Sequence, residues 1–237
     1  QRANIDIKMK DRRNRIFEAA KSASQFQEKA FFEYHMYTLG RRTTAKNNQT
    51  KQVSLLNAFN IPIKKELIFD PSKGQGRYAY YSDTETIKAK VRVELELVNS
   101  KKNNLGMPLP KGKVKVYKKD SDGSLQFIGE DAIDHTPKDE KIRLYIGDAF
   151  DVVGERKRAD FKKEYHTMFE TYEISLRNHK EEDVTVKVVE KLWRYSNWKI
   201  VKASQEWTKE DASTIEFKVK IPKDSEKKIT YTVKYWW

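Results

Sequence analysis

The chain has 237 residues, of which 38% are hydrophobic, 35% charged and 12% aromatic, too aromatic for a disordered chain and polar for a globular one. The 48 Lys and Arg outnumber the 35 Asp and Glu for a net charge of +13, and the lack of cysteine excludes disulfides, thiolate nucleophiles and Cys-ligated metals. No apolar run reaches the roughly 20 residues that span a bilayer, and no signal peptide is evident. A basic balance suits a polyanion partner, or a lysine-rich wet surface that keeps sheet edges apart. The acids are interspersed with the bases, which favours the second.

Residues 1–29 are rich in helix formers, with a weak apolar stripe at Ile16, Ala19, Ala20 and Ala23. They are expected to form a short helical or linker segment. Its cluster Arg12, Arg13 and Arg15 is basic enough to touch an anion. A chain that begins at Gln1 is expected to be a piece of a longer protein. From Phe31 the pattern turns to β, with an aromatic strand over 31–39, strands over 51–58 and 61–69, a turn cluster at 70–76 and a short aromatic strand over 77–81.

The clearest element lies between Thr86 and Asn99. Ala89, Val91, Val93, Leu95 and Leu97 alternate with Lys88, Lys90, Arg92, Glu94 and Glu96. Strict alternation marks a half-buried strand, so the sheet has one wet face, as antiparallel sheets commonly do. Further strands are expected over 113–117, 125–129, 141–146 and 149–156, with a hairpin turn at Asp120-Ser-Asp-Gly-Ser. A long strand is expected over 161–176. Others follow over 182–191, 198–201, 214–221 and 227–235, and the tail alternates at Tyr231, Val233, Tyr235 and Trp237.

Leu97-Val-Asn-Ser-Lys-Lys-Asn-Asn-Leu also echoes Leu176-Arg-Asn-His-Lys-Glu-Glu-Asp-Val, each reading as strand, polar turn, strand. The expectation is therefore an all-β chain of two antiparallel immunoglobulin-like β-sandwich domains, over 30–157 and 158–237, after the segment 1–29.

Several stretches together resemble the C-terminal domain family of the bacterial mucoidy-inhibitor-A-like proteins. They are Phe32-Glu-Tyr-His-Met-Tyr-Thr-Leu, Lys51-Gln-Val-Ser-Leu-Leu, Asn103-Asn-Leu-Gly-Met-Pro-Leu-Pro-Lys-Gly, Asp148-Ala-Phe-Asp-Val-Val-Gly-Glu-Arg, Arg177-Asn-His-Lys, Trp193-Arg-Tyr-Ser-Asn-Trp and Tyr231-Thr-Val-Lys-Tyr. The resemblance implies an exported protein of the periplasm or cell surface, with a signal peptide and an N-terminal β region missing from this sequence. It carries no catalytic residues.

No catalytic, cofactor-binding or metal-binding residue is assigned. The four histidines (His35, His135, His166 and His179) have no local metal-ligand spacing. The carboxylates between Asp131 and Glu140 lack the glycine-punctuated spacing of a calcium loop. Glu94 and Glu96 alternate with bases on a wet face, where ion pairs are expected rather than glycoside hydrolysis.

Lys111, Lys113, Lys115, Lys118 and Lys119 surround Tyr117 and form the best polyanion candidate, provided exposed aromatics lie beside them. Otherwise they blunt an edge strand. Trp193, Tyr195, Trp198 and Trp207 either line a carbohydrate groove or fill the core. The expected role is a non-enzymatic envelope module that binds proteins or self-associates through sheet edges. The alternatives are binding of acidic polysaccharide or, less favoured, nucleic acid, and a hydrolase whose catalytic residues lie in a missing N-terminal region.

Overall fold

A computed structural model describes residues 26–40, 42–73, 80–81 and 86–237. The protein is almost all β, and the described residues form no α-helix of two or more residues. Arg12, Arg13, Arg15 and most of the segment 1–29 lie outside the described residues. Residues 26–29, expected in that segment, are strand.

Contacts divide the chain into two units, one of residues 1–62, 98–111 and 134–141, the other of 63–97, 112–133 and 142–237. The strands are β1 (Phe26–Phe31), β2 (Tyr34–Leu39), β3 (Lys64–Phe69), β4 (Ile87–Val98), β5 (Gly112–Lys119), β6 (Leu125–Ile133), β7 (Lys141–Glu164), β8 (Thr167–Asn178), β9 (Val184–Lys191), β10 (Asn197–Ala203), β11 (Trp207–Lys209), β12 (Thr214–Ile221) and β13 (Ser225–Trp236).

The first unit holds the β1–β2 hairpin, where one strand was expected over 31–39. Phe32 turns the chain with a φ of 56°, a left-handed conformation without the usual glycine or asparagine. Residues 51–58 form no strand. Asn99 is fully buried in this unit. Its amide donates to the carbonyls of Met107 and Pro137, both at 2.8 Å, and its carbonyl accepts the Gly106 N–H at 2.9 Å.

The second unit is built on a nine-stranded sheet in the order β10-β13-β8-β7-β4-β3-β9-β12-β11. The sheet is mixed, because β3 runs parallel to β9 through Leu67–Val186 and Phe69–Val188. Residues 157 and 158, where the sequence pattern sets a domain boundary, both lie inside β7. The strand expected over 161–176 is a hairpin instead, with β7 turning into β8 at Tyr165 and His166. The strands expected over 141–146 and 149–156 are both part of β7.

The echo between the halves has a different meaning from a repeated hairpin. Neither β4 with β5 nor β8 with β9 is a neighbouring pair. What repeats is a buried asparagine at the strand end. Like Asn99, Asn178 is fully buried, and its amide donates to the carbonyls of Glu182 at 2.8 Å and Pro222 at 2.9 Å.

The core of this unit sits between opposite arms of its sheet. Alternate residues of β8, β9, β12 and β13 point inward, among them Ile174, Leu176, Val186, Val188, Phe217, Val219, Tyr231 and Val233, each at most 1% exposed. The Phe217 ring on β12 meets the Tyr231 ring on β13 at 5.6 Å, although these strands are not paired. Burying each such large apolar side chain contributes about 1.5–3 kcal/mol.

β4 follows its alternation as far as Val91, and from Arg92 to Val98 every residue is half-buried. Val91 is fully buried, while Lys88 and Lys90 are exposed and pair with Glu155 at 3.9 Å and Asp148 at 3.2 Å. On the adjacent β3, Glu66 accepts from Lys64 at 2.6 Å and Lys187 at 2.7 Å. Burial pushes the Glu66 carboxyl up, but the hydrogen bonds from Lys187 and Lys64 win and lower its pKa from 4.5 to about 2. Its stabilising contribution is then full above pH 4.5 and disappears as pH falls through about 2. Glu66→Gln is expected to remove that part of the acid slope of Tm, with the two proteins converging at the low-pH end. Parallel slopes across this window would contradict the assignment.

Candidate functional site

Three clusters in the second unit bring chemistry-bearing side chains together. The first is the β5–β6 hairpin. Gly123, with a φ of 88°, allows the turn in which the Asp120 N–H donates to the Ser124 carbonyl at 2.9 Å. A bulge between Val116 and Tyr117 sets the register, pairing Lys113 with Ala132, Lys115 with Glu130, Tyr117 with Phe127 and Lys119 with Leu125. Paired residues share a face, so Lys113, Lys115 and Lys119 lie beside Tyr117 and Phe127.

The two rings meet edge to face at 5.6 Å, and Tyr117 is 51% and Phe127 55% exposed. Lys113 pairs with Glu130 at 3.2 Å, whereas Lys115 and Lys119 make no ion pair among the described residues. Lys118 pairs with Gln126 and belongs to the opposite face. Lys111 lies in the first unit, where its N–H reaches His135 Nδ1 at 3.4 Å.

The acids near this hairpin have local partners. Asp131 accepts the Tyr145 N–H at 2.7 Å, and Asp134 accepts the His135 N–H at 2.9 Å. Among the described residues no group of three or more His, Asp or Glu is arranged to hold a metal ion. His35 is bound to Glu28 at 2.7 Å.

The second cluster is buried. Glu190 on β9, fully buried, accepts from Arg156 Nε at 2.9 Å, from the Tyr80 hydroxyl at 3.0 Å and from the Tyr231 hydroxyl. Arg156 Nη1 also donates to the Tyr80 carbonyl at 3.0 Å, and its guanidinium lies over Tyr172 at 3.8 Å and Tyr80 at 4.1 Å. Burial works against the charge on Arg156, yet Glu190 and the surrounding tyrosines hold its pKa well above the ordinary value.

Glu170, also fully buried, binds Arg158 at 3.1 Å and Arg194 at 2.8 Å, and Arg194 lies over Tyr81 at 4.3 Å. Burial raises the hydroxyl pKa of Tyr80, Tyr81, Tyr172 and Tyr231. These groups fasten Tyr80 and Tyr81 into the core. Glu190, Glu170, Arg156 and Tyr80 are buried and only Arg194 reaches a surface pocket, so the cluster is a lock rather than a binding surface. Sequence reasoning missed it, although Glu170 and Glu190 sit on the apolar parity of their strands.

The third cluster involves the tryptophans. The four aromatics expected either to line a carbohydrate groove or to fill the core do not form one group. Trp193 packs on Tyr80 at 6.0 Å. Trp198 and Trp207 form a tilted pair at 6.5 Å. Tyr195 stacks on Trp237 at 4.6 Å and 17°. That stack borders a shallow pocket lined by His166, Thr167, Lys199, Lys234, Trp236 and Trp237. No helix among the described residues is long and apolar enough to cross a membrane. Comparison of the chain with protein-family models, with curated proteins and with solved structures gives no match.

Proposed function

We propose that the protein is a non-enzymatic binding module whose β5–β6 hairpin holds an acidic polysaccharide. The observation that carries this reading is the register that sets Lys113, Lys115 and Lys119 on one face with the exposed Tyr117–Phe127 pair. Lysines supply attraction along a charged polymer, and aromatic rings give flat surfaces for its sugar rings. The kinship with mucoidy-inhibitor-A-like C-terminal domains, and with it an extracytoplasmic bacterial location, belongs to the same proposal and rests on the sequence motifs. It favours acidic polysaccharide over nucleic acid. The sandwich-like, immunoglobulin-like reading of the fold is proposed on the facing layers at Phe217 and Tyr231.

The test is binding of the chain to polygalacturonate over a series of salt concentrations. Affinity is expected to fall linearly with salt on logarithmic axes, because displaced counterions set the slope. Lys113→Gln/Lys115→Gln/Lys119→Gln is expected to flatten that slope by about one unit per lysine. Tyr117→Ala is expected to weaken binding about five- to tenfold without changing the slope. A triple variant with the wild-type slope would remove the hairpin from the site.

A second reading, assembly through sheet edges, is favoured by one observation. β10 and β11 terminate the nine-stranded order, so each pairs on one side only among the described residues. Light scattering at low and high salt tests it. An oligomer that persists at both supports edge pairing, and a monomer at both rejects it for this chain.

A further inference from the structure

Lys199 on β10 and Lys234 on β13 stand directly opposite each other in an antiparallel pair. Their neighbours Val233 and Tyr235 are fully buried, so Lys234 and Trp236 take the outward face of the sheet. Like charges placed opposite one another destabilise a sheet. Other outward lysines of this unit have an acid beside them, as Lys187 has Glu66 and Lys157 has Glu173. Lys199 and Lys234 make no ion pair among the described residues; the Lys234 ammonium lies over the Phe169 ring at 5.5 Å, and Glu164 feels its charge from beyond ion-pair distance. A like-charge pair with no direct ion-pair partner is expected at functional sites, where folding is offset against binding.

The surroundings supply flat apolar walls. Trp236 is 39% and Trp237 44% exposed. Tyr195 backs the Trp237 indole, His166 stands edge-on to it at 6.4 Å, and the Trp237 backbone N–H donates to the His166 carbonyl at 3.3 Å. The pocket between them is lined by two lysines, two tryptophans, a histidine and a threonine, with no carboxylate.

We infer that this pocket is a subsite for an anionic pyranose, a sugar ring bearing an acidic group. The ring lies against an indole, and the anion sits between the Lys199 and Lys234 ammonium groups, whose repulsion it relieves. Nothing here calls for the hairpin to act at the same time, but the choice of an acidic sugar rests on the proposed function.

The test uses trigalacturonate, followed by tryptophan fluorescence and calorimetry on the whole chain. Lys234→Gln and Lys199→Gln are each expected to weaken binding about tenfold, since a charged partner is lost. Each is also expected to leave Tm unchanged or raise it by a few degrees, because the like-charge pair is relieved. The methyl-esterified trisaccharide is expected to bind at least about tenfold more weakly. Inorganic phosphate at equal ionic strength is expected not to displace the trisaccharide.

Wild-type affinity in Lys234→Gln, equal binding of the methyl ester, or displacement by phosphate would each overturn the proposal. The hairpin triple variant separates the two sites. Trisaccharide binding retained there supports the pocket even if the polymer assay fails. Trisaccharide binding lost there but kept in Lys234→Gln would assign it to the hairpin and sink the pocket.

Discussion

Glu190→Gln is expected to destabilise the protein by about 3–5 kcal/mol, because it leaves the Arg156 charge buried without its counterion. Arg156 and Glu190 side chains are 3% and 0% exposed, so water offers little screening. For a domain of this size, a loss on that scale lowers Tm by roughly 10 °C. Glutamine retains an oxygen for the Tyr80 and Tyr231 hydroxyls, so the change isolates charge from hydrogen bonding.

The matching double variant, Arg156→Met/Glu190→Gln, removes the stranded cation. It is expected to be more stable than Glu190→Gln alone by about 1–3 kcal/mol, even though the bond to the Tyr80 carbonyl goes with it. Thermal and urea unfolding of the three proteins reads the coupling. If adding Arg156→Met destabilises further, the cost of Glu190→Gln comes from packing and not from an unpaired charge.

That network also shows where the sequence was legible and where it was not. Val184, Val186 and Val188 announce an inward face by simple alternation, and Glu190 continues the same parity. An acid on the apolar parity of a strand is a readable sign of a buried pair. Its partner is not readable, because Arg156 becomes its neighbour only through the folding of β7 over β9.

Turns were missed for a local reason. Tyr165-His166 and Phe32-Glu33 contain none of the Gly, Asn, Asp or Pro that usually mark a tight turn, unlike Asp120-Ser-Asp-Gly-Ser. Residues 51–58 carry apolar spacing but find no partner strand, and alternation alone does not supply one. At the hairpin, the lysines and Tyr117 could be read from β5. Phe127 joins them only because a bulge shifts the register of β6 by one residue. The facing of Lys199 with Lys234 depends on pairing between strands far apart in the chain, which composition and spacing do not encode.

Gly154→Ala is the second change expected to carry a large penalty. Gly154 lies on β7, opposite Leu176 of β8 and on the inward parity with Val152 and Arg156. A methyl group built there would fall 2.2 Å from Phe69 Cδ2 and 2.3 Å from Cε2. Phe69 is fully buried, and it leads directly into Asp70, whose carboxylate accepts the Ser72 N–H at 3.1 Å. The ring therefore has little room to retreat.

Overpacking of this kind costs about 1–3 kcal/mol, and sometimes more. Against it stands a gain of about 0.4–1 kcal/mol from the stiffer unfolded chain. The balance predicts a net loss, with Tm lower by several degrees. Phe69→Leu supplies the control. By itself it costs stability through the space it leaves, but it removes the ring atoms that an alanine methyl would strike. Gly154→Ala should then cost clearly less in the Phe69→Leu background than in the wild type. Equal costs in both backgrounds would mean that the glycine is needed for something other than the approach of Phe69.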